Sequence, residues 1–319
     1  MGKIKRKRGR KLMTVFTIIL GIIIGLNVIG FAVNKIFYAN ELAAVSPYGR
    51  ILEVNGQKMH VYAMGNGQKT IVLLPGFGVP LPSADFGPLM RELAKEYTVV
   101  CIEYFGIGFS DQTDTPRTNE NYMEETRTAL SLAGFKAPYV LMPHSASGIY
   151  SEYYAAKYPD EVSAIIMLDT TSTAKTEAKN LPKFVYTLGK LQQACGLSRI
   201  ANGLVTPAQK AENGYTAKEI SDYKMFANHV LNDTIIDQSN RMLDNINEVS
   251  ELAFPGDIPV LKLISSQSVQ KVGTEYQTNH LIRLGANVES KTIDSTHFFY
   301  QTKAKEICDT TTIFLEKIN

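Results

Sequence analysis

The chain has 319 residues, enough for one large α/β domain or two small ones. Its 45% hydrophobic and 20% charged content is ordinary for a globular protein, with no sign of disorder, collagen or a repeat array. The net charge of +2 hides an asymmetry: seven of the 33 basic residues fall in the first eleven positions, which leaves 26 bases against 31 acids in the rest. A mildly acidic body lacks the basic face that a nucleic-acid binder needs, so no nucleic-acid partner is expected. The three cysteines form no CxxC pair and no zinc-ligand spacing, and Cys101, inside an apolar run, reads as a core thiol.

The basic cluster (Lys3, Lys5, Arg6, Lys7, Arg8, Arg10, Lys11) is followed by an uncharged apolar run at 13–33. At 1.5 Å per residue it spans roughly the 30 Å hydrocarbon core of a bilayer. A secretory signal has a shorter apolar region and a small-residue cleavage site, and Leu42-Ala43-Ala44 is a poor one. The adopted reading is an uncleaved signal anchor, with a cleaved signal as the alternative. Basic residues retained in the cytoplasm put the rest of the chain outside the cell membrane. Gly21 and Gly25 form a GxxxG pair that could bring two such helices together as a homodimer. The expected boundaries are a basic tail at 1–12, a transmembrane anchor at 13–34, a linker at 35–49 and one domain at 50–319.

Segments 51–54 and 58–63 flank Asn55-Gly56 and read as a hairpin. An apolar strand at 70–74 ends at Pro75-Gly76-Phe77-Gly78. A helix follows at 86–97, then a strand at 98–102 leading into the Gly-rich loop 104–111. The next elements are a helix at 120–132, a strand at 139–142, a helix at 147–157 and a strand at 164–168. Continuous apolar strands alternating with helices point to a mostly parallel sheet covered on both faces. From about 170 to 255 the pattern is polar and helical, with amphipathic segments at 183–193 and 218–231. The alternation resumes with strands at 259–264 and 287–293 and helices at 274–284 and 303–318. A helical excursion between two strands of one sheet reads as a lid.

The strand at 139–142 runs into Pro143-His144-Ser145-Ala146-Ser147-Gly148 and then a helix. A serine at a sharp strand-to-helix turn is held with its hydroxyl exposed, and the next backbone N–H faces developing negative charge. Small residues suit so tight a turn. The bland alternative is a helix N-cap serine. Ser147 competes as a nucleophile, but lies one turn into the helix.

In these residues the chain resembles the α/β-hydrolase superfamily, over about 50–319. The family's elbow usually reads Gly-x-Ser-x-Gly; here Pro143 and Ser147 stand at the two glycine positions. Leu73-Leu74-Pro75-Gly76-Phe77-Gly78 is similar to the strand and oxyanion loop, with Pro75 for the usual His. The resemblance implies oxyanion donors at the backbone N–H groups of Phe77 and Ala146. Glu103–Asp111 is similar to a structural loop of the family, with Glu103 for its first Asp. Asp294-Ser295-Thr296-His297-Phe298 lies where the family places its catalytic His. The other histidines read as an early-hairpin residue (His60), an elbow neighbour whose side chain diverges (His144), a lid residue (His229) and a mid-helix residue (His280).

The family most often carries its acid after the post-lid strand, where this chain reads Ser265-Ser266-Gln267-Ser268-Val269-Gln270. Some members, including some haloalkane dehalogenases, carry it after the preceding strand, which here is Asp169. Asp169 is the preferred acid, with Glu275 or no acid as alternatives. The implied fold is an α/β-hydrolase sheet with helices on both faces and a helical lid, preceded by one transmembrane helix. The implied activity is a serine hydrolase cleaving an ester, thioester or amide through an acyl-Ser145 intermediate, with His297 as general base. Carboxylesterase or lipase-like action on a small or lipid-like acyl substrate comes first, prolyl-aminopeptidase-like action second. No cofactor or metal is expected, because HExxH, GxxxxGK[ST] and a strand-to-helix GxGxxG are lacking. The alternative classes are a non-catalytic ligand-binding protein on this fold and a structural partner in a membrane complex.

Overall fold

Eight strands pair in one sheet in the order β1-β2-β4-β3-β5-β6-β7-β8. The computed structural model describes residues 2–175, 182–204 and 207–318, with side chains from 13 onward except that of Lys183. The basic side chains at 3–11, and positions 176–181 and 205–206 of the expected lid, lie outside the described residues. Packing divides the chain into two units, one of residues 1–45 and 183–206, the other of 46–182 and 207–319. Within the smaller unit, the described residues 183–204 pack with the amino-terminal segment.

In the larger unit, β1 (Arg50–Val54) and β2 (Gln57–Met64) form the antiparallel hairpin around Asn55-Gly56, both with positive φ as such a turn requires. β2 also runs antiparallel to β4 (Thr98–Glu103). All other pairings are parallel: β3 (Thr70–Leu74), β4, β5 (Tyr139–Pro143), β6 (Val162–Leu168), β7 (Val260–Ser265) and β8 (Val288–Ile293). Successive strand residues point to opposite faces, so a strand apolar at every position serves two cores. Val72 and Leu74 bury on one side with Val100, Ile102 and Leu141; Ile71 and Leu73 bury on the other with Val99, Cys101, Val140 and Met142.

Helices cover both faces. α1 (Gly2–Phe37) belongs to the smaller unit. The expected helix at 86–97 is shorter, α3 (Gly87–Leu93), and is preceded by a one-turn helix, α2 (Pro82–Asp85). α4 (Asn119–Ala133) and α5 (Ser147–Lys157) pack on the first core. In the excursion lie α6 (Lys183–Ala194), α7 (Leu197–Leu204), α8 (Ala217–Phe226) and α9 (Asp233–Glu251). α8 is shorter than the expected 218–231: Thr216 and Glu219 form a capping box at its start, and it stops at Phe226. α10 (Ser266–Leu284) begins earlier than expected, directly after β7, and is interrupted at Gly273. α11 (Ala304–Lys317) packs on the second core.

The elbow packs against the end of β6. A Cβ on residue 148 would lie 2.6 Å from the Thr170 Cβ, so a side chain there must displace one of the two segments. Gly148→Val is expected to destabilise the fold by about 1–3 kcal/mol through overpacking. Thermal unfolding in detergent beside wild type checks this; an unchanged midpoint would contradict the packing.

Candidate active site

The ends of three parallel strands build the site. Ser145 follows β5, Asp169 follows β6 and His297 follows β8. In an open parallel sheet these carboxyl ends point into one crevice, which brings residues far apart in sequence together.

Ser145 has φ 52, a left-handed conformation that is costly for a side chain with a Cβ. Its neighbours enforce it. Its N–H donates to the Leu168 carbonyl (3.1 Å), and its carbonyl accepts from Thr171 N (3.0 Å) and Gly148 N (3.1 Å). Asp169 has φ 48 and donates its N–H to the Leu263 carbonyl (2.8 Å). Both turns are thus pinned to neighbouring strands.

Ser145 Oγ lies 3.0 Å from His297 Nε2, and His297 Nδ1 lies 2.7 Å from Asp169 Oδ2. These partners fix the tautomer: Nδ1–H donates to the carboxylate, and Nε2 accepts from the serine hydroxyl. The Asp169 carboxylate accepts three further hydrogen bonds, from Ser265 N (3.0 Å), Ser265 Oγ (2.7 Å) and Ser268 Oγ (2.6 Å). Burial works against its charge, but the hydrogen bonds from His297 and the two serines prevail and hold its pKa below the usual aspartate value. The amino end of α10 favours the same charged form. Glu275, the alternative acid, is exposed on α10.

Three residues set aside or unnoticed in the sequence shape this region. His144 does not simply diverge. Its ring lies tilted against that of His297, with centroids 4.7 Å apart, and its Nε2–H donates to the His297 carbonyl (3.2 Å). Burial, then the neighbouring His297, push its pKa down to about 3, so it is neutral. Ser147 is buried and donates its hydroxyl to the Pro75 carbonyl, leaving Ser145 as the elbow's half-exposed hydroxyl. Asp85 is buried on α2 and grips the segment after His297: it accepts from Tyr300 Oη (2.5 Å) and Gln301 Nε2 (2.9 Å). No sequence motif marks Asp85; only its place beside the oxyanion-like loop hints at a role.

Gly76 brings that loop onto the elbow. A Cβ on residue 76 would lie 2.6 Å from His144 Nδ1 and 2.9 Å from Ser145 Cβ. Phe77, next along, is partly exposed, and Ala146 opens the turn into α5. Among the described residues no group of three or more His, Cys, Asp or Glu could hold a metal, and all three cysteines are buried and free.

Because the folded-state pKa of Asp169 is depressed, its stabilising contribution is present above the ordinary aspartate value of about 4 and is lost as pH falls through and below it. The stability gap between wild type and Asp169→Asn should therefore narrow between neutral pH and about pH 3. Thermal melts across that range check this, and a gap independent of pH would contradict it.

Residues 69–211 match the family model for the alpha/beta hydrolase fold. The chain is 35% identical over 158 residues to the uncharacterized protein YbdG of Bacillus subtilis (strain 168), covering 50% of this chain and 49% of that one. It is 29% identical over 141 residues to a 2-(acetamidomethylene)succinate hydrolase of Mesorhizobium japonicum, covering 44% of this chain and 49% of that one. The chain thus spans about half the length of these curated relatives. An epoxide hydrolase structure from Vigna radiata superposes with a TM-score of 0.63 at 15% identity, covering 84% of this chain and 97% of that one. With this sheet order, this strand-to-helix elbow and this family match over residues 69–211, the chain has the α/β-hydrolase fold.

Proposed function

We propose that the protein is a membrane-anchored serine hydrolase that cleaves an ester, thioester or amide through an acyl-Ser145 intermediate. The observation that carries this is the hydrogen-bonded series Ser145 Oγ, His297 Nε2–Nδ1, Asp169 Oδ2. Ser145 Oγ attacks the acyl carbon while His297 Nε2 takes its proton. The proton passes to the departing alcohol, thiol or amine as the carbonyl re-forms, leaving the acyl group on Ser145. Water then attacks, His297 again takes the proton, and the acid and free Ser145 are released. Asp169 holds the imidazole and balances its charge while it carries the extra proton. Backbone N–H groups of Phe77 and Ala146 are assigned to the oxyanion.

The nucleophile's chemistry selects among the family's reactions. A serine that opened an epoxide would be left as an ether, which water and an imidazole do not cleave. A serine that takes an acyl group is left as an ester, which they do. Acyl transfer is therefore favoured here, although an epoxide hydrolase is among the structural neighbours. Carboxylesterase or lipase-like action comes first, aminopeptidase-like action second. The Mesorhizobium relative, itself a hydrolase by name, supports the general class.

For α1 we propose the role of membrane anchor, with the hydrolase unit outside the cytoplasm. Its apolar stretch is long enough to cross a bilayer, and its Ile, Leu and Phe side chains are exposed. The basic cluster before it favours a cytoplasmic amino terminus.

A fluorophosphonate probe applied to the full chain in detergent should label wild type and leave Ser145→Ala unlabelled. His297→Ala and Asp169→Asn should label slower by about 10³–10⁴-fold. A folded wild-type protein that takes no label would overturn the serine-hydrolase proposal.

A further inference from the structure

The smaller unit carries an apolar surface that the hydrolase chemistry does not use. α6 and α7 pack on the carboxyl-terminal part of α1 through polar groups. Asn34 Nδ2 donates to the carbonyls of Ala194 (3.2 Å) and Gln193 (3.4 Å). Arg199 donates its Nε–H to Asn34 Oδ1 (2.8 Å) and an Nη1–H to Glu41 (3.0 Å), and its guanidinium lies over the Tyr38 ring. Gly30 allows the approach, because a Cβ there would overlap the Cys195 carbonyl oxygen. Tyr186 and Cys195 are buried.

The other side of both helices is apolar and exposed. Phe184, Leu188 and Leu191 follow i, i+4, i+7 along α6, and Leu197, Ile200 and Leu204 follow i, i+3, i+7 along α7, so each set lines one helix face. Their exposure runs from 39% for Leu197 to 82% for Leu204. So large an apolar face in water marks a contact with another apolar body.

The position of the contact names that body. Gly30 lies within the apolar run and Asn34 is the first polar residue after it, so the α6–α7 corner is fixed where α1 would leave the hydrocarbon. At 1.5 Å per residue, Gly30 sits roughly 6 Å below Asn34. We infer that the apolar faces of α6 and α7 lie in the headgroup–acyl boundary of the leaflet from which α1 emerges, as an interfacial hairpin. This rests on the reading of α1 as a membrane span. The polar side of the hairpin clamps α1, and the apolar side is covered by lipid. Such helices lie about 5–10 Å deep in the boundary.

The chain has no tryptophan, so one introduced indole reports its own surroundings. Leu188→Trp and Ile200→Trp place it on the two apolar faces. Leu26→Trp places it within α1, and Leu132→Trp at an exposed position of α4 in the larger unit. Each full-length variant is reconstituted into phosphatidylcholine–phosphatidylglycerol vesicles with lipids brominated at shallow or deep acyl positions. Residues 188 and 200 should emit to the blue of residue 132 and lose roughly half their emission to shallow bromine, with residue 26 quenched by deep bromine and residue 132 by neither. Quenching at residue 26 but not at 188 or 200 would overturn the interfacial hairpin and leave the anchor standing. No quenching at residue 26 would overturn the anchor, and the hairpin with it. Blue emission at 188 and 200 without lipid quenching, together with cross-linking between copies, would assign the face to a second copy and overturn the lipid contact.

Discussion

The Asp169 carboxylate joins three strand ends in one hydrogen-bonded set. It accepts from His297 after β8, from the backbone and hydroxyl of Ser265 at the end of β7, and from Ser268 in the first turn of α10. It extends from the end of β6 in a left-handed conformation that a non-glycine residue adopts only when its surroundings hold it there. With its four donors in place, the carboxylate stays charged despite its burial, and the imidazole of His297 is aimed at Ser145. Removing the carboxylate would release the imidazole and leave the two serines without their acceptor. The orientation of the site and the packing of β6 to β8 are therefore one arrangement.

The same logic explains the elbow. Pro143 and Ser147 stand where the family's motif usually has glycine, yet the turn closes. Gly148 supplies the close approach to Thr170, and Gly76 supplies the one to the His144 ring. Ser147 gives its hydroxyl to the Pro75 carbonyl and so ties the elbow to the loop after β3. His144 then packs between that loop and His297. Glycine is needed where a neighbouring segment crowds the turn, and at the elbow of this chain the crowding falls one residue later.

Much of the larger unit was legible because its strands are buried on both faces. Runs such as Ile71–Leu74 are apolar at every position, and the strand ends fell within a residue or two of the observed ones. Helix limits set by capping were less visible: Thr216 with Glu219 starts α8, and Ser265 caps α10 well before the apolar periodicity begins. Ser145 and His297 could be named from local pattern, since each follows a strand. The partner of His297 could not be fixed in that way. Asp169 and the Ser265–Ser268 segment become neighbours only when β6 and β7 pair, and strand order is not written locally. Asp85 was invisible for the same reason, its partners Tyr300 and Gln301 lying more than two hundred positions away. The grouping of α6 and α7 with α1 depends on contacts across about 160 positions, such as Asn34 with Ala194.

The central claim is that Ser145 carries the acyl group during turnover. It is tested most directly by mixing the full-length wild-type protein with an activated short-chain ester, quenching in acid within the first turnover, and mapping the added mass on peptides. The account predicts the acyl mass on the peptide containing Ser145, formed in a burst and lost on longer incubation. A folded protein that hydrolyses the ester with the acyl mass on another residue, or with none trapped at any time, would contradict it.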